Sequence, residues 1–138
     1  MSAHFSVEAT AAQDGGTVLA LAGELDHDTA APLREALAQL VGEAAAPAGQ
    51  PPRRLVVDCA RLRFCDSTGL NILLRARQAA EDSGGALELA GLRQPVARMF
   101  RITGADGVFT VHPDLAAAYA HGGDHGEDGD DGGRGDAR

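Results

Sequence analysis

The chain is 138 residues long, 44% of them hydrophobic, with a formal net charge of −8, which leaves room for one globular domain. All twelve basic side chains are arginines, against 20 acids; without a basic stripe, direct binding of nucleic acid is not expected. No run of about 18 apolar residues occurs and the start lacks an apolar signal region, so neither a membrane span nor secretion is predicted. We expect a cytoplasmic protein.

The first half of the chain predicts a hairpin, a helix and a buried strand. Phe5–Ala9 alternates in strand fashion, and a glycine pair predicts a turn into Thr17–Ala22, so the two segments should pair. Apolar spacing predicts a helix from Thr29 to about Ala45. A proline-rich loop at 47–52 follows. The continuously apolar Leu55–Val57 is typical of a central strand buried on both faces.

The second half continues the alternation of helix and strand. Leu70 to about Asp82 predicts a helix closed by a serine and two glycines. The remaining elements are a strand, a short helix, a strand and a final helix that begins with proline, at Ala86–Ala90, Pro95–Ile102, Val108–Val111 and Pro113–His121. The order β-β-α-β-α-β-α-β-α predicts a single α/β domain over residues 1–121, a mixed sheet with helices packed against it.

Residues 122–138 differ in composition, with seven glycines, six acids, two arginines and no large apolar residue. Such a segment cannot bury enough apolar surface to offset the entropy of ordering, so we predict a disordered acidic tail. Its acids lack the alternating order and closing glutamate of a calcium-binding loop.

Cysteine and histidine usage predicts neither a disulfide nor a metal site. Cys59 and Cys65 lie six residues apart along a strand and its exit loop, which should hold them too far apart to bridge. The five histidines are scattered, without the tight spacing of metal ligands. We expect no bound metal and no cofactor.

The stretch from Leu62 to Leu74 carries the most information about function. A buried strand ends, and Asp66, Ser67 and Thr68 supply N-cap chemistry for the next helix. Free backbone N–H groups at such a helix start favour an anion, so a phosphate on Ser67 could be accepted there. Helix capping alone could also explain these residue types.

Three segments in register resemble the STAS family of sulfate transporters and anti-sigma factor antagonists. Asp66-Ser67-Thr68-Gly69-Leu70 is similar to the family's phosphorylation loop. Gly23-Glu24-Leu25-Asp26-His27-Asp28-Thr29-Ala30 is similar to its signature after the second strand, and Phe100–Gly104 followed by Val108-Phe109 to its C-terminal third. The resemblance runs from about residue 5 to 121.

The resemblance implies a protein-binding switch. The unmodified antagonist would bind an anti-sigma factor, a serine kinase with a histidine-kinase-like ATPase fold, and so free the sigma factor. Phosphorylation of Ser67 would separate the complex, and a serine phosphatase would reset it. The partner-binding residues would be Asp26, Asp66, Ser67, Thr68, Gly69 and Asn71. ATP belongs to the kinase, so the chain itself would need no cofactor and carry no catalytic residue.

Some roles stay open at this stage. Asp26 could contact the partner or serve as a turn and cap residue, and Gly69 could allow close approach of the partner or of neighbouring backbone. Cys65 stands where the family usually has a larger apolar residue, and Asn71 where a small one is common, so partner choice could differ.

Other function classes fit less well. Ser67 lacks the G-x-S-x-G context of a serine hydrolase, and no histidine has a local signal as its base. A two-component receiver would need a lysine, which is absent. A STAS scaffold or ligand-sensing module of a larger signalling assembly remains the alternative; the intact loop and the lack of a fused domain favour the free-standing antagonist.

Overall fold

A computed structural model describes residues 4–12, 15–44 and 54–123. Five strands form one sheet in the order β1-β2-β3-β4-β5, in which β1 and β2 are antiparallel and the other neighbours parallel. The strands are β1 Phe5–Ala11, β2 Thr17–Leu25, β3 Arg54–Cys65, β4 Ala86–Ala90 and β5 Val111–His112. The helices are α1 Ala31–Ala44, α2 Ser67–Asp82, α3 Gln94–Thr103 and α4 Leu115–Gly123, with a 3-10 turn at Ala105–Gly107. The predicted order of elements is confirmed.

Apolar side chains on both faces of β3 hold the helices against the sheet. Leu55 and Val57 join the large core under α1, α2 and α3, whereas Val56 faces the other way and packs with Ala118 of α4. All three β3 residues are buried. The predicted central strand, buried on both faces, is therefore confirmed.

An ionic cluster fixes α4 to its face of the sheet. Arg54 Nη2 donates to Glu88 Oε1 at 2.6 Å and to the carbonyl oxygen of Ala118 at 2.8 Å. His112 Nε2 lies 2.8 Å from the same Glu88 oxygen. Burial by itself would raise the pKa of the Glu88 carboxyl, but hydrogen bonds from His112 and Arg54 and the charges of both outweigh it and leave that pKa below its ordinary value.

The extent of β3 corrects the prediction. The strand runs through Cys65, so Cys65 lies in the strand and not in the exit loop where it was expected. Only its first part, to Asp58, pairs with β4; the rest pairs with β2 alone. The pairing register between β2 and β3 shifts twice, between Ala20 and Ala22 and between Gly23 and Glu24. At each shift β3 has one residue more than β2, as in a β-bulge.

Other boundaries also differ from those expected. Helix α2 begins at Ser67 rather than Leu70. Residues predicted to form the last strand from Val108 instead follow a 3-10 turn, so β5 is confined to Val111–His112. Helix α4 begins at Leu115 rather than Pro113 because Asp114 caps it, its Oδ1 accepting from Ala117 N at 2.7 Å.

Two predicted segments fall largely outside the described residues. The loop at 47–52 does so entirely. Helix α4 continues through Gly123, two residues into the predicted acidic tail, and the remaining residues 124–138 are not described.

Candidate functional site

The ends of β2 and β3 bring the predicted site residues to one edge of the sheet. The two strands are parallel, and Leu25 pairs with Cys65 at their carboxyl ends. Asp66 N donates to the carbonyl oxygen of Leu25 at 3.1 Å. Asp26 and Asp66, 40 positions apart in sequence, therefore directly follow neighbouring strand ends.

Asp66 is the N-cap of α2. Its backbone is extended (φ −99°, ψ −173°), and its Oδ1 accepts from Thr68 N at 2.9 Å and from Gly69 N at 3.2 Å. Leu70 N then makes the first helical bond, to the carbonyl oxygen of Asp66 at 3.0 Å. The capping role expected for Asp66 is confirmed, and a cap of this kind stabilises a helix by about 1 kcal/mol.

This cap changes the expectation of a vacant anion site. A helix start normally leaves several backbone N–H groups unpaired. Here the Asp66 carboxylate already occupies the Thr68 and Gly69 amides, and Asp66 N is bound to Leu25. Within the described part of the chain, Ser67 N is the remaining amide of this turn without an acceptor. Residue 67 itself is exposed and Thr68 half-buried.

Gly69 faces the interior of the domain. It is buried, and a Cβ placed on it would lie 2.6 Å from Leu25 Cδ2 and Cγ and 2.9 Å from Cys65 Sγ. Glycine is therefore needed for the close approach of α2 to the ends of β2 and β3. Of the two roles considered for Gly69, the geometry supports packing against the chain's own core. It shapes the loop without presenting surface of its own.

The two cysteines are free, buried thiols. Burial, with a smaller effect from Asp66, raises the pKa of Cys65 to about 12. Burial likewise raises the pKa of Cys59 above its usual range. Protonated thiols are poor nucleophiles, and neither cysteine is a candidate reactive group.

Asp26 organises the turn between β2 and α1. Its Oδ1 accepts from Asp28 N at 2.9 Å and from Thr29 N at 3.1 Å. Thr29 Oγ1 donates to the carbonyl oxygen of Glu24 at 2.8 Å and accepts from Asp26 N at 2.9 Å. Asp26 is thus a turn residue, and it remains half-exposed at the edge where Asp66 lies.

Four acids gather at this end of the sheet: Glu24, Asp26, Asp28 and Asp66, referred to below as the acidic edge. Glu24, Asp26 and Asp66 are half-buried, and Asp28 is exposed. None of the ion pairs found among the described residues involves them. The edge is therefore a patch of negative charge around the start of α2. Asn71, on the same first turns of the helix, is exposed.

Phe64 was not among the site residues predicted from the sequence, although it lies two residues before Asp66 and is 47% exposed. The one sequence feature that could have pointed to Phe64 is that it is an aromatic residue close to the Asp66-Ser67 loop. The strand was expected to end before Phe64, so its outward direction could not be inferred.

Across residues 4–12, 15–44 and 54–123, no group of histidines, cysteines and acids is arranged to hold a metal ion. The same residues contain no helix with the length and apolar character needed to cross a bilayer.

Comparison with known proteins assigns the chain to a family. The family model described as Mlab, STAS domain, matches residues 8–113. BtrV, a proposed anti-sigma factor antagonist of Bordetella bronchiseptica, is 34% identical over 82 residues, which is 59% of this chain and 71% of BtrV. The anti-sigma-F factor antagonist RsfB of Mycobacterium tuberculosis is 39% identical over 74 residues, 53% of this chain and about half (55%) of RsfB.

A solved structure extends the similarity over most of the fold. The crystal structure of an anti-sigma factor antagonist from Mycobacterium paratuberculosis superimposes with a TM-score of 0.72 at 26% identity, covering 85% of this chain and 92% of that one. The family model spans well over half of the sequence and includes every site residue described above. The chain therefore belongs to the STAS-domain family of anti-sigma factor antagonists.

Proposed function

We propose that the chain is the antagonist of a cytoplasmic partner switch. Its unphosphorylated form binds an anti-sigma factor that is also a serine kinase with a histidine-kinase-like ATPase fold, and this binding releases the sigma factor. The kinase transfers the terminal phosphoryl group of its ATP to the Ser67 hydroxyl, and the complex separates. A serine phosphatase hydrolyses the phosphoserine and restores the binding form.

The arrangement at the start of α2 is the observation that supports this proposal most. Asp66 fixes the turn through the Thr68 and Gly69 amides, while Ser67 is exposed beside them. A kinase can reach the Ser67 hydroxyl, and phosphate can be added without breaking any of the hydrogen bonds that hold the turn. The modification therefore changes the surface and leaves the fold intact.

Charge explains how one phosphate could separate the partners. Phosphoserine adds about −1.5 to −2 charges at pH 7. The Asp66 carboxylate already occupies two amides of the helix start, so the phosphate gains little from that end of the helix. Two like charges about 4 Å apart repel by about 1 kcal/mol in water and about 4 kcal/mol near a protein surface. Since about 1.4 kcal/mol is tenfold in affinity, repulsion between this phosphate and an acidic group of the partner is enough to disengage a moderate interface.

The partner surface centres on Ser67. Asp26, Asp66, Thr68 and Asn71 reach solvent around it to different degrees, and we assign them to the contact. Gly69 acts from inside, by setting the position of the turn. The similarity to anti-sigma factor antagonists agrees with the prediction that the chain is not an enzyme.

Phosphate mapping tests the site. Incubation with a purified kinase-type anti-sigma factor of the same genome and ATP should add one phosphate, located on Ser67 by peptide mass spectrometry. Ser67→Ala should abolish it, whereas the matched variant Thr68→Val should still be phosphorylated. Phosphate that persists in Ser67→Ala and disappears in Thr68→Val would overturn the site assignment.

A further inference from the structure

Phe64 differs from the other phenylalanines of the chain. Phe100 and Phe109 are buried, with ring centroids 5.8 Å apart, and Phe5 packs against the same core. Phe64 is 47% exposed. It is the one exposed aromatic side chain among the described residues of a chain that has four phenylalanines and one tyrosine.

A bulge in β3 directs Phe64 outwards. Leu62 and Cys65 are both buried although they are three residues apart, a spacing that a regular strand would place on opposite faces. The register against β2 shifts at this point, so that Leu62 pairs with Gly23 and Phe64 with Glu24. Bulges are frequent next to functional sites, where they redirect a side chain.

The surroundings of Phe64 are polar and divided by charge. Glu24, its cross-strand neighbour, belongs to the acidic edge. Arg61 and Arg63 precede it on β3 and are exposed. Helix α4, which covers this face of the sheet further back at Val56 and Ala90, does not bury the ring. The result is one aromatic side chain between negative charge on the helix side and positive charge on the strand side.

We propose that Phe64 is the apolar anchor of the anti-sigma factor interface. This proposal rests on the proposed function and adds to it a second contact beside the Ser67 loop. The partner supplies an apolar pocket for the ring, with acidic or polar groups facing Arg61 and Arg63. An aromatic residue in a desolvated pocket, enclosed by a charged rim, is the usual composition of an interface hot spot.

The charge pattern also fixes how the partner is oriented. A partner with a uniformly basic surface would meet Arg61 and Arg63 with like charge. A partner with acidic or polar groups on one side of its apolar pocket can face Arg61 and Arg63 in one orientation, which gives specificity. Phosphate on Ser67 adds negative charge beside this contact, where it repels the partner's acidic groups, whereas the ring stays in place in both states.

Binding titrations with the purified kinase-type anti-sigma factor test the proposal. Phe64→Ala should weaken binding by about tenfold or more, with a thermal midpoint close to that of the unmodified chain because the residue is exposed. Phe64→Thr, which retains strand preference, provides a second variant if alanine perturbs β3. Val108→Ala is the matched control: Val108 is 45% exposed and precedes β5, at the opposite edge of the sheet, so its affinity should not change.

The outcomes separate this proposal from the proposed function. Loss of affinity in both Phe64 variants with Val108→Ala unaffected supports the anchor. If folded Phe64→Ala or Phe64→Thr binds with the affinity of the unmodified chain while Ser67→Asp still lowers affinity, the anchor is overturned and the proposed switch is not. If the unmodified chain binds no such anti-sigma factor, both proposals are contradicted.

Discussion

Replacing Gly69 by alanine should destabilise the domain, although alanine is the better helix former. The new Cβ would lie 2.6 Å from two atoms of Leu25, and carbon atoms pack at about 3.5–4.0 Å. Leu25 is fully buried, so α2 and β2 must separate by about 1 Å. Overpacking of this kind costs about 1–3 kcal/mol, and the gain in helix propensity returns up to about 1 kcal/mol.

The expected net loss is about 1–2 kcal/mol, which for a domain of this size lowers the thermal midpoint by about 4–8 °C. Calorimetry or circular dichroism melting measures it. Gly107→Ala is the control, because a Cβ at Gly107 meets nothing within 4 Å. In a Leu25→Ala background the cost of Gly69→Ala should become smaller, since the two closest contacts are then removed and the contact with Cys65 Sγ at 2.9 Å remains. An unchanged or raised midpoint for Gly69→Ala alone would refute the reasoning.

Three further predictions concern charge and the chain end. Asp26→Asn should keep the fold, because an amide oxygen can still accept from Asp28 N and Thr29 N, while anti-sigma factor binding weakens; unfolding of the variant would make Asp26 purely structural. Because the pKa of Glu88 is lowered from its ordinary value of 4.5 in the folded state, the ionised carboxylate stabilises the fold above pH 4.5, and this stabilisation is lost as the pH falls through the folded-state pKa. The unfolding free energy of Glu88→Gln should therefore fall less on acidification than that of the unmodified chain. Deleting 124–138 should leave the thermal midpoint nearly unchanged; a large drop would show that this segment packs on the domain.

Element order could be predicted because each element carries its own pattern. The apolar spacing of α1 and the unbroken Leu55–Val57 are local signals, and Asp66 is a frequent N-cap residue. The presence of a cap followed from residue type, which left Asp66, Ser67 and Thr68 as candidates. Which backbone amides the cap occupies could not be predicted, because the hydrogen bonds from the Thr68 and Gly69 amides depend on the side-chain conformation of Asp66.

Features set by distant partners could not be predicted. The second half of β3 reads as a loop, with Leu62 and Cys65 at a spacing that fits no regular strand; pairing with β2 makes it a strand. The cluster of Arg54, Glu88 and His112 joins three strands, and His112 has no local signal that separates it from the other histidines. The sequence suggested that Gly69 allows another part of the backbone or the partner to approach closely. That the neighbours are Leu25 and Cys65 could be seen only in the folded structure.

The affinity of the anti-sigma factor for the chain before and after phosphorylation tests the central claim most directly. The chain carrying one phosphate on Ser67 should bind at least about tenfold more weakly than the unmodified chain, with the same far-ultraviolet circular dichroism. Ser67→Ala should bind like the unmodified chain even after exposure to kinase and ATP. Equal affinities of the phosphorylated and unmodified forms would contradict the switch.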